Sequence, residues 1–480
     1  MKTPFSLTMT EPQFQEIQAH LFPGDYDEHG LVIAAGIVET SQGTRLLVRD
    51  IFLAQDGTDY VPGKRGYRAL TAQFVAEKSG ICGDDGLCYL AVHCHGGDNW
   101  VDFSVDDIAS HERGYPALLD ITRGGPVGAL VFANNAIAGD IWTRDGRYEL
   151  DHATIIGSRI RRIFPKPSRA PRYIDPKFDR NSRLFGDIGQ DILSNLKVGI
   201  IGLGGGGSLL NEWLARLGVG HIIAVDFDRI DLTNLPRIVG ATEQDALAIL
   251  TRSKNPQLKH LGQKFSRYKV SVARRVAKQA NPQIHYEAVI GNVVDEATAR
   301  QLIDVDFLFL ATDSIQSRLV FNALVHQYLI PGAQIGIKPL IDKSHVVDQI
   351  QVASRIVLPF PDGGCLSCNR LIPANRLALE GLSEKERRAQ RYVDDDEIVE
   401  PSVITLNVLS AARVANDFMM MFTGLFSEQV TLDHLMEFAE IREVNRVGHL
   451  TDERCLDCGK SKSSRFARGD RARLPCRQQS

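Results

Sequence analysis

The chain has 480 residues, 44% hydrophobic and 24% charged, with a net charge of −4 at neutral pH. That length exceeds what one core usually serves, so two or three domains are expected, and the charge balance gives no pull toward nucleic acid or an anionic membrane. No run approaches the roughly 18 apolar residues of a membrane span, and the first twenty residues lack a secretory apolar core, so a cytoplasmic protein of a prokaryotic-type cell is expected.

From the N-terminus, short apolar runs follow one another: GLVIAAGIV (30–38), RLLVRDIFLA (45–54), CYLAVHCH (88–95) and VGALVFA (127–133). Strands of this length with helices between them predict an α/β domain over residues 1–160. Within it, His93 and His95 stand one residue apart at the end of an apolar run. Residues i and i+2 of a strand share a face, so both imidazoles point one way. A catalytic zinc ion needs a third protein ligand and an open position. Asp107 can supply that ligand from the following segment.

Residues 161–178 read as a linker. Its stretch FPKPSRAPRYIDPKF carries four prolines, which fix φ and remove backbone donors. Beyond it the pattern changes to strand, glycine turn and helix in KVGIIG, SLLNEWLARLG and HIIAVDFD. KVSVARRVAKQAN then reads as a helix, DFLFLAT as a buried strand and RLVFNALVHQYL as a helix. This alternation predicts a doubly wound parallel sheet over residues 179–462. The remainder, 463–480, is polar and basic and is expected to be a mobile tail.

The turn GLGGGG after KVGII holds Gly202, Gly204, Gly205 and Gly207. Glycines let backbone N–H groups approach phosphate at a helix N-terminus. Asp226 closes the second strand, where an acid can bind ribose hydroxyls. These features alone fit NAD, FAD or ATP, or tight strand–helix packing. Two C-x-x-C pairs, Cys365/Cys368 and Cys455/Cys458, make a four-thiolate set that can complete a metal's tetrahedron.

Two resemblances extend this reading. The order Glu28, then His93-x-His95, then Ser104-x-x-Asp107 resembles the JAMM metalloproteases, which cleave after the C-terminal glycine of ubiquitin-like proteins. It implies zinc on His93, His95 and Asp107, Glu28 as general base and acid, and Ser104 as oxyanion stabiliser. Eight residues separate His95 from Ser104 here, where the family usually has seven. Keeping S-x-x-D selects Asp107; keeping the histidine-to-aspartate distance selects Asp106.

The second half, with DFDRIDLTNLPR (226–237), RYKVSVA and LATDS, resembles the ubiquitin-activating-like adenylyltransferases of the ThiF/MoeB/HesA type. That resemblance implies a Rossmann-like adenylylation domain that binds ATP and Mg²⁺. It assigns Asp226 and Asp228 to the nucleotide site and Asn234, Arg237 and Lys269 to the triphosphate. Asp313 takes the magnesium, and Arg180 reaches a phosphate across a homodimer interface. It also implies a structural zinc on the four cysteines. The implied partners are a ubiquitin-like or sulfur-carrier protein and a conjugating enzyme.

Many such enzymes carry a thioester-forming cysteine between the two zinc pairs, but residues 369–454 contain none. The expectation is therefore a two-activity enzyme that processes and adenylylates a small protein, by analogy with antiphage conjugation systems. Sulfur-carrier activation for cofactor or metabolite biosynthesis is one alternative. A non-enzymatic adaptor that keeps both folds for binding is the other.

Overall fold

The computed structural model describes residues 4–25, 27–62, 66, 68–167, 174–341, 346–360, 363, 365–381, 401–427 and 430–477. Part of the expected linker, residues 168–173, and the end of the expected tail, residues 478–480, lie outside them. The chain forms two compact units. Unit 1 comprises Met1–Ala170 with His326–Leu329 and Lys462–Arg473, and unit 2 comprises Pro171–Val325, Ile330–Ser461 and Leu474–Ser480. No described helix is long and apolar enough to cross a membrane.

In unit 1 the elements are β1 (Phe5–Thr10), α1 (Glu11–Leu21), β2 (Gly30–Thr40), β3 (Gly43–Leu53), α2 (Ala72–Asp85), β4 (Cys88–Cys94), α3 (Val105–Ile121), β5 (Val127–Phe132), β6 (Ile137–Thr143), β7 (Gly146–Ile156) and β8 (Arg161–Ile163). The strands lie in the order β1-β3-β2-β4-β5-β6-β7-β8, and β1 also pairs with β7, which closes a seven-membered ring. Both faces of the sheet are covered, which explains why its strands read as continuous apolar runs rather than alternating ones. Leu31, Ile33, Leu90 and Val92 pack with Phe14, Ile17 and Leu21 of α1. Val32, Ala34 and Tyr89 pack on the other face with Phe74 of α2 and Tyr115 and Leu118 of α3.

Unit 2 contains α4 (Asp179–Asn195), β9 (Lys197–Ile201), α5 (Gly205–Leu217), β10 (His221–Val225), α6 (Ala248–Thr251), α7 (Pro256–Phe265), α8 (Lys269–Ala280), β11 (His285–Val289), α9 (Glu296–Ala299), β12 (Phe307–Leu310), α10 (Ile315–Tyr328, of which His326–Tyr328 belong to unit 1), β13 (Gly332–Ile341), β14 (Val347–Val357), α11 (Ala374–Gly381), α12 (Ile404–Thr423), β15 (His434–Phe438) and β16 (Glu443–Val447). Its strand order is β11-β10-β9-β12-β13-β14-β15-β16. The first five are parallel, as a doubly wound sheet requires. The last three add antiparallel pairings that the strand–helix alternation did not predict. Strand order reverses between β9 and β12, and such a switch point opens a crevice beyond the carboxyl ends of the strands.

Two boundaries differ from the sequence expectation. Residues 161–163, assigned to the linker, pair with β7 as strand β8. The basic tail is not free. Phe466 and Ala467 are buried, Gly469 bridges Ile37, and Asp470 accepts the Glu39 N–H at 2.9 Å. The Arg49 guanidinium also donates to the Phe466 carbonyl. Backbone pairing and two buried apolar residues outweigh the polar composition from which mobility was inferred. Further along, the Arg477 N–H donates to the Val294 carbonyl at 2.8 Å within unit 2.

Candidate functional site

The first cluster is built by strand alternation. Along β4, Tyr89 and Ala91 face α2 and α3, and period two then brings His93 and His95 to that same face. The facing element is the N-terminus of α3. There Ser104 is the N-cap and Asp107 the N3 residue of a reciprocal capping box, which satisfies otherwise orphaned helix N–H groups. Ser104 Oγ donates to Asp107 Oδ2 at 2.6 Å, Ser104 N–H donates to the same oxygen at 2.8 Å, and Asp107 N–H donates back to Oγ at 3.1 Å. The S-x-x-D motif is thus the device that orients Asp107.

Asp107 Oδ1 lies 3.6 Å from His93 Nε2, and Oδ2 lies 3.5 Å from His95 Nε2. One ligand atom from each of the three residues falls within 4.8 Å of the others. Asp107 is buried while Asp106 is exposed, so it is Asp107 that the fold brings to the histidines.

The donor set suits a metal ion. His95 Nδ1 is 3.1 Å from the Asp102 carbonyl, an outer contact that fixes Nδ1 as the protonated nitrogen and leaves Nε2 bare. His93 Nε2 is buried and has no hydrogen-bond partner among the described residues. Burial opposes ionisation of Asp107, yet its contacts with His93 and Ser104 hold its carboxyl well below the usual range. Glu28 precedes β2, whose Gly30 is in register with His93. Burial pushes the Glu28 carboxyl up, the two imidazoles pull it down, and Asp107 adds to the rise. Ser104 directs its single proton at Asp107, so in this geometry it positions a ligand rather than offering a free oxyanion donor.

The sequence reading missed a supporting pair. His111, one turn beyond Asp107 on α3, bonds Asp140 of β6 at 2.8 Å, and both are buried. Phe103 packs against the rings of both His93 and His111. The i, i+4 spacing of Asp107 and His111 on one helix was the available signal.

The second cluster lies at the carboxyl ends of the parallel strands. Gly202, with φ of 91°, turns the chain out of β9, and a Cβ on Gly207 would sit 1.9 Å from the Gly202 carbonyl oxygen. A Cβ on Gly205 would meet Asn407 of α12 at 2.7 Å. These three glycines are needed for packing. Gly204, the N-cap of α5, differs: a Cβ there would meet nothing within 4 Å. It is the one whose surroundings leave room for a ligand.

Asp226 follows β10 and accepts the Leu203 N–H at 2.7 Å and the Asp228 N–H at 2.8 Å. Burial pushes its carboxyl up, against the pull of Lys269. Lys269 begins α8 and its Nζ lies 2.7 Å from Asp228 Oδ2. Asn234 is buried in a capping box with Asp231. Arg237, three residues on, donates to the Thr233 carbonyl at 3.0 Å. Asp313 stands exposed just beyond β12, where Ala311 N–H bonds the Ile201 carbonyl beside the glycine turn.

The turn, Asp226 and Asp313 therefore share one rim of the sheet. Arg180 is exposed in the first turn of α4 and makes none of these bonds among the described residues. Glu380 was not foreseen: its carboxylate accepts the Ile315 and Gln316 N–H groups at 2.9 Å each, at the start of α10.

Residues 178–431 match the model of the ThiF family, more than half of the chain. The chain belongs to the ThiF family. Among its curated relatives, it is 29% identical over 143 residues to a molybdopterin-synthase adenylyltransferase of Haemophilus influenzae, covering 30% of this chain and 51% of that protein. It is 28% identical over 191 residues to the Escherichia coli enzyme of the same name, covering 39% and 65%. It is 38% identical over 88 residues to a tRNA threonylcarbamoyladenosine dehydratase of Bacillus subtilis, covering 17% and 35%. The chain thus spans about half the length of the curated relatives it matches. A crystal structure of E. coli MccB with ATP is 21% identical and covers 60% of this chain and 75% of that one, with a TM-score of 0.42.

The third sequence-predicted set, the four cysteines, lies in unit 2, with Cys455 and Cys458 beyond the matched residues. Cys365 Sγ is 3.6 Å from the sulfurs of Cys368 and Cys455, and Cys368 Sγ is 3.6 Å from that of Cys458. These separations are far beyond a disulfide and near the roughly 3.8 Å edge of a tetrahedron with Zn–S bonds of about 2.3 Å. Cys368 N–H points at Cys365 Sγ at 3.4 Å, and Asp457 N–H at Cys455 Sγ at 3.4 Å. Such donors suit thiolates, so the set fits a closed structural zinc.

Proposed function

We propose that unit 2 uses ATP to adenylylate the C-terminal carboxylate of a small ubiquitin-like or sulfur-carrier protein, and that unit 1 is a JAMM-type zinc peptidase acting on proteins of that class. The observation that carries the first part is the glycine turn at the switch point, with Asp226 bonded to its backbone and Asp313 on the same rim. Asp226 binds the ribose, with Asp228 beside it. Lys269, Arg237 and Asn234 hold the phosphates, for which Lys269 exchanges its contact with Asp228. Arg180 supplies a further charge from a second copy of the chain.

The partner's carboxylate oxygen attacks the α-phosphorus, the bond to the bridging oxygen breaks, and pyrophosphate leaves. No proton moves and no protein nucleophile is required, so catalysis rests on positioning and charge. A magnesium ion held by Asp313 would offset the phosphates' negative charge.

For unit 1, the carrying observation is the convergence of His93, His95 and Asp107 beside Glu28. Zinc held there would polarise the scissile carbonyl and lower the pKa of its bound water. Glu28 takes the proton from the attacking water and returns it to the leaving amine. Such cleavage exposes a terminal carboxylate, which is the group unit 2 consumes.

The lack of a cysteine over residues 369–454 favours direct transfer of the activated acyl group to sulfide or to a partner's thiol. Calorimetric titration of the full chain with Mg²⁺–ATP tests the nucleotide site. Binding that Asp226→Ala weakens supports the reading, and no binding by the unaltered chain contradicts it. Release of a C-terminal extension from a ubiquitin-like protein, lost in His95→Ala, tests unit 1.

A further inference from the structure

At the amino ends of the parallel strands of unit 2, a second set of metal-competent side chains meets. His221 opens β10 and His285 opens β11, and the two are in register as cross-strand neighbours. Glu287 follows His285 by two residues and therefore shares its face. The opposite face carries Tyr286, whose hydroxyl bonds Asn211 of α5 at 2.8 Å. The three side chains therefore stand on the sheet surface turned away from α5, at an edge, because β11 is the outermost strand.

Their geometry converges on one point. The imidazole rings of His221 and His285 are 4.2 Å apart and nearly perpendicular. Nε2 of His221 lies 2.7 Å and Nε2 of His285 lies 3.5 Å from the same oxygen, Glu287 Oε1. All three ligand atoms fall within 4.8 Å of one another. The short His221–Glu287 contact is an ion pair in its own right, and a second imidazole, that of His285, converges on the same carboxylate oxygen.

Nearby positive charge does not forbid a cation. Lys197 is in register with His221 on β9, but its ammonium is paired with Asp304 at 3.2 Å. The site is also accessible, since the His285 side chain is 67% exposed.

We propose that His221, His285 and Glu287 bind a divalent transition-metal ion, with two imidazole nitrogens, one carboxylate oxygen and the remaining coordination open to solvent. Two imidazoles and a carboxylate are a donor set that zinc and its neighbours in the first transition row favour over magnesium or calcium. Bound there, the ion staples the edge strand β11 to β10. The site is separate from the nucleotide cradle: Asp226 is five positions beyond His221 along β10, about 16 Å at the rise of a strand.

The test is zinc stoichiometry of the full chain in buffers that fix free Zn²⁺, measured by elemental mass spectrometry. One more zinc per chain is expected in the unaltered protein than in His285→Ala or Glu287→Gln. That difference should persist when His95→Ala or Cys458→Ser is added, because those residues belong to other clusters. His285→Cys, which restores a zinc ligand, should regain the lost equivalent, an outcome that damage to the fold would not produce. Equal zinc content in the unaltered chain, His285→Ala and Glu287→Gln at every free-zinc level overturns the proposal. So does a loss in His285→Ala that His285→Cys fails to restore.

Discussion

In unit 1 His95 and Asp107 are oriented by hydrogen bonds to neighbouring residues, Asp102 and Ser104. In unit 2 the glycine cradle is shaped by packing, and Lys269 and Arg237 already have partners within the protein. Ser104 fixes Asp107 through a helix cap, and the Asp102 carbonyl fixes His95. At the cradle, Gly202, Gly205 and Gly207 are needed so that backbone and α12 can approach, while Lys269 rests on Asp228 and Arg237 on a carbonyl. A preformed metal site tolerates little change in any ligand. A cradle whose cations must exchange partners when nucleotide arrives loses affinity in smaller steps.

The difference can be broken at several points. The largest effect is expected at the cysteines. Cys458→Ser removes one of four thiolates from a closed site of the kind that contributes folding energy directly. It should lower the melting temperature by about 10 °C or more and release the zinc bound there. An unchanged melt would remove the structural role. Next, Glu28→Gln should reduce peptide-bond cleavage by roughly 10²- to 10⁴-fold while zinc content and ATP affinity stay as they are. Loss of zinc in that variant would make Glu28 a ligand instead of a base.

Smaller still, Asp226→Ala removes charge-assisted bonds of about 1.5–3 kcal/mol and should weaken ATP binding by roughly 10- to 100-fold in a calorimetric titration, with cleavage by unit 1 unaffected. A parallel loss of cleavage would show that the two clusters are not independent.

The smallest effect concerns pH. His434 opens β15, and burial, with His449 and Arg355 adding to it, pulls its pKa from 6.5 down to about 3. The folded state therefore keeps His434 neutral where the unfolded chain is already protonated. Its stabilising contribution is complete above about pH 6.5 and declines by up to about 1.4 kcal/mol per pH unit as pH falls toward 3. Urea unfolding at pH 7.0 and 5.5 should show a smaller acid-induced loss in His434→Gln than in the unaltered chain. Equal losses would contradict that assignment.

Much of the local geometry was legible because it depends on spacing. The H-x-H pair, the S-x-x-D cap, the glycine turn and the two C-x-x-C pairs each fix a local geometry by themselves. Asp107 over Asp106 was not decidable from counting, since the loop between His95 and Ser104 carries one more residue than the family pattern. Its placement is set by the capping box and by burial of Val101 in a small apolar cluster with Val131. The runs GLVIAAGIV and CYLAVHCH announced strands, but closure of the ring through the β1–β7 pairing is a non-local contact that no window of sequence displays. The antiparallel strands β14 to β16 escaped notice for the same reason. The tail misled because composition describes side chains in general, whereas residues 466–470 are held by backbone bonds and by burial of Phe466 and Ala467.

The most direct test is ATP–pyrophosphate exchange by the full chain. It would use labelled pyrophosphate and Mg²⁺, with ubiquitin-like and sulfur-carrier proteins supplied either full-length or trimmed to a terminal glycine. Exchange that depends on a trimmed partner, and disappears in Asp313→Ala, is the predicted result. Exchange that proceeds at the same rate in Asp313→Ala, or a chain that binds no ATP, would contradict adenylylation by unit 2.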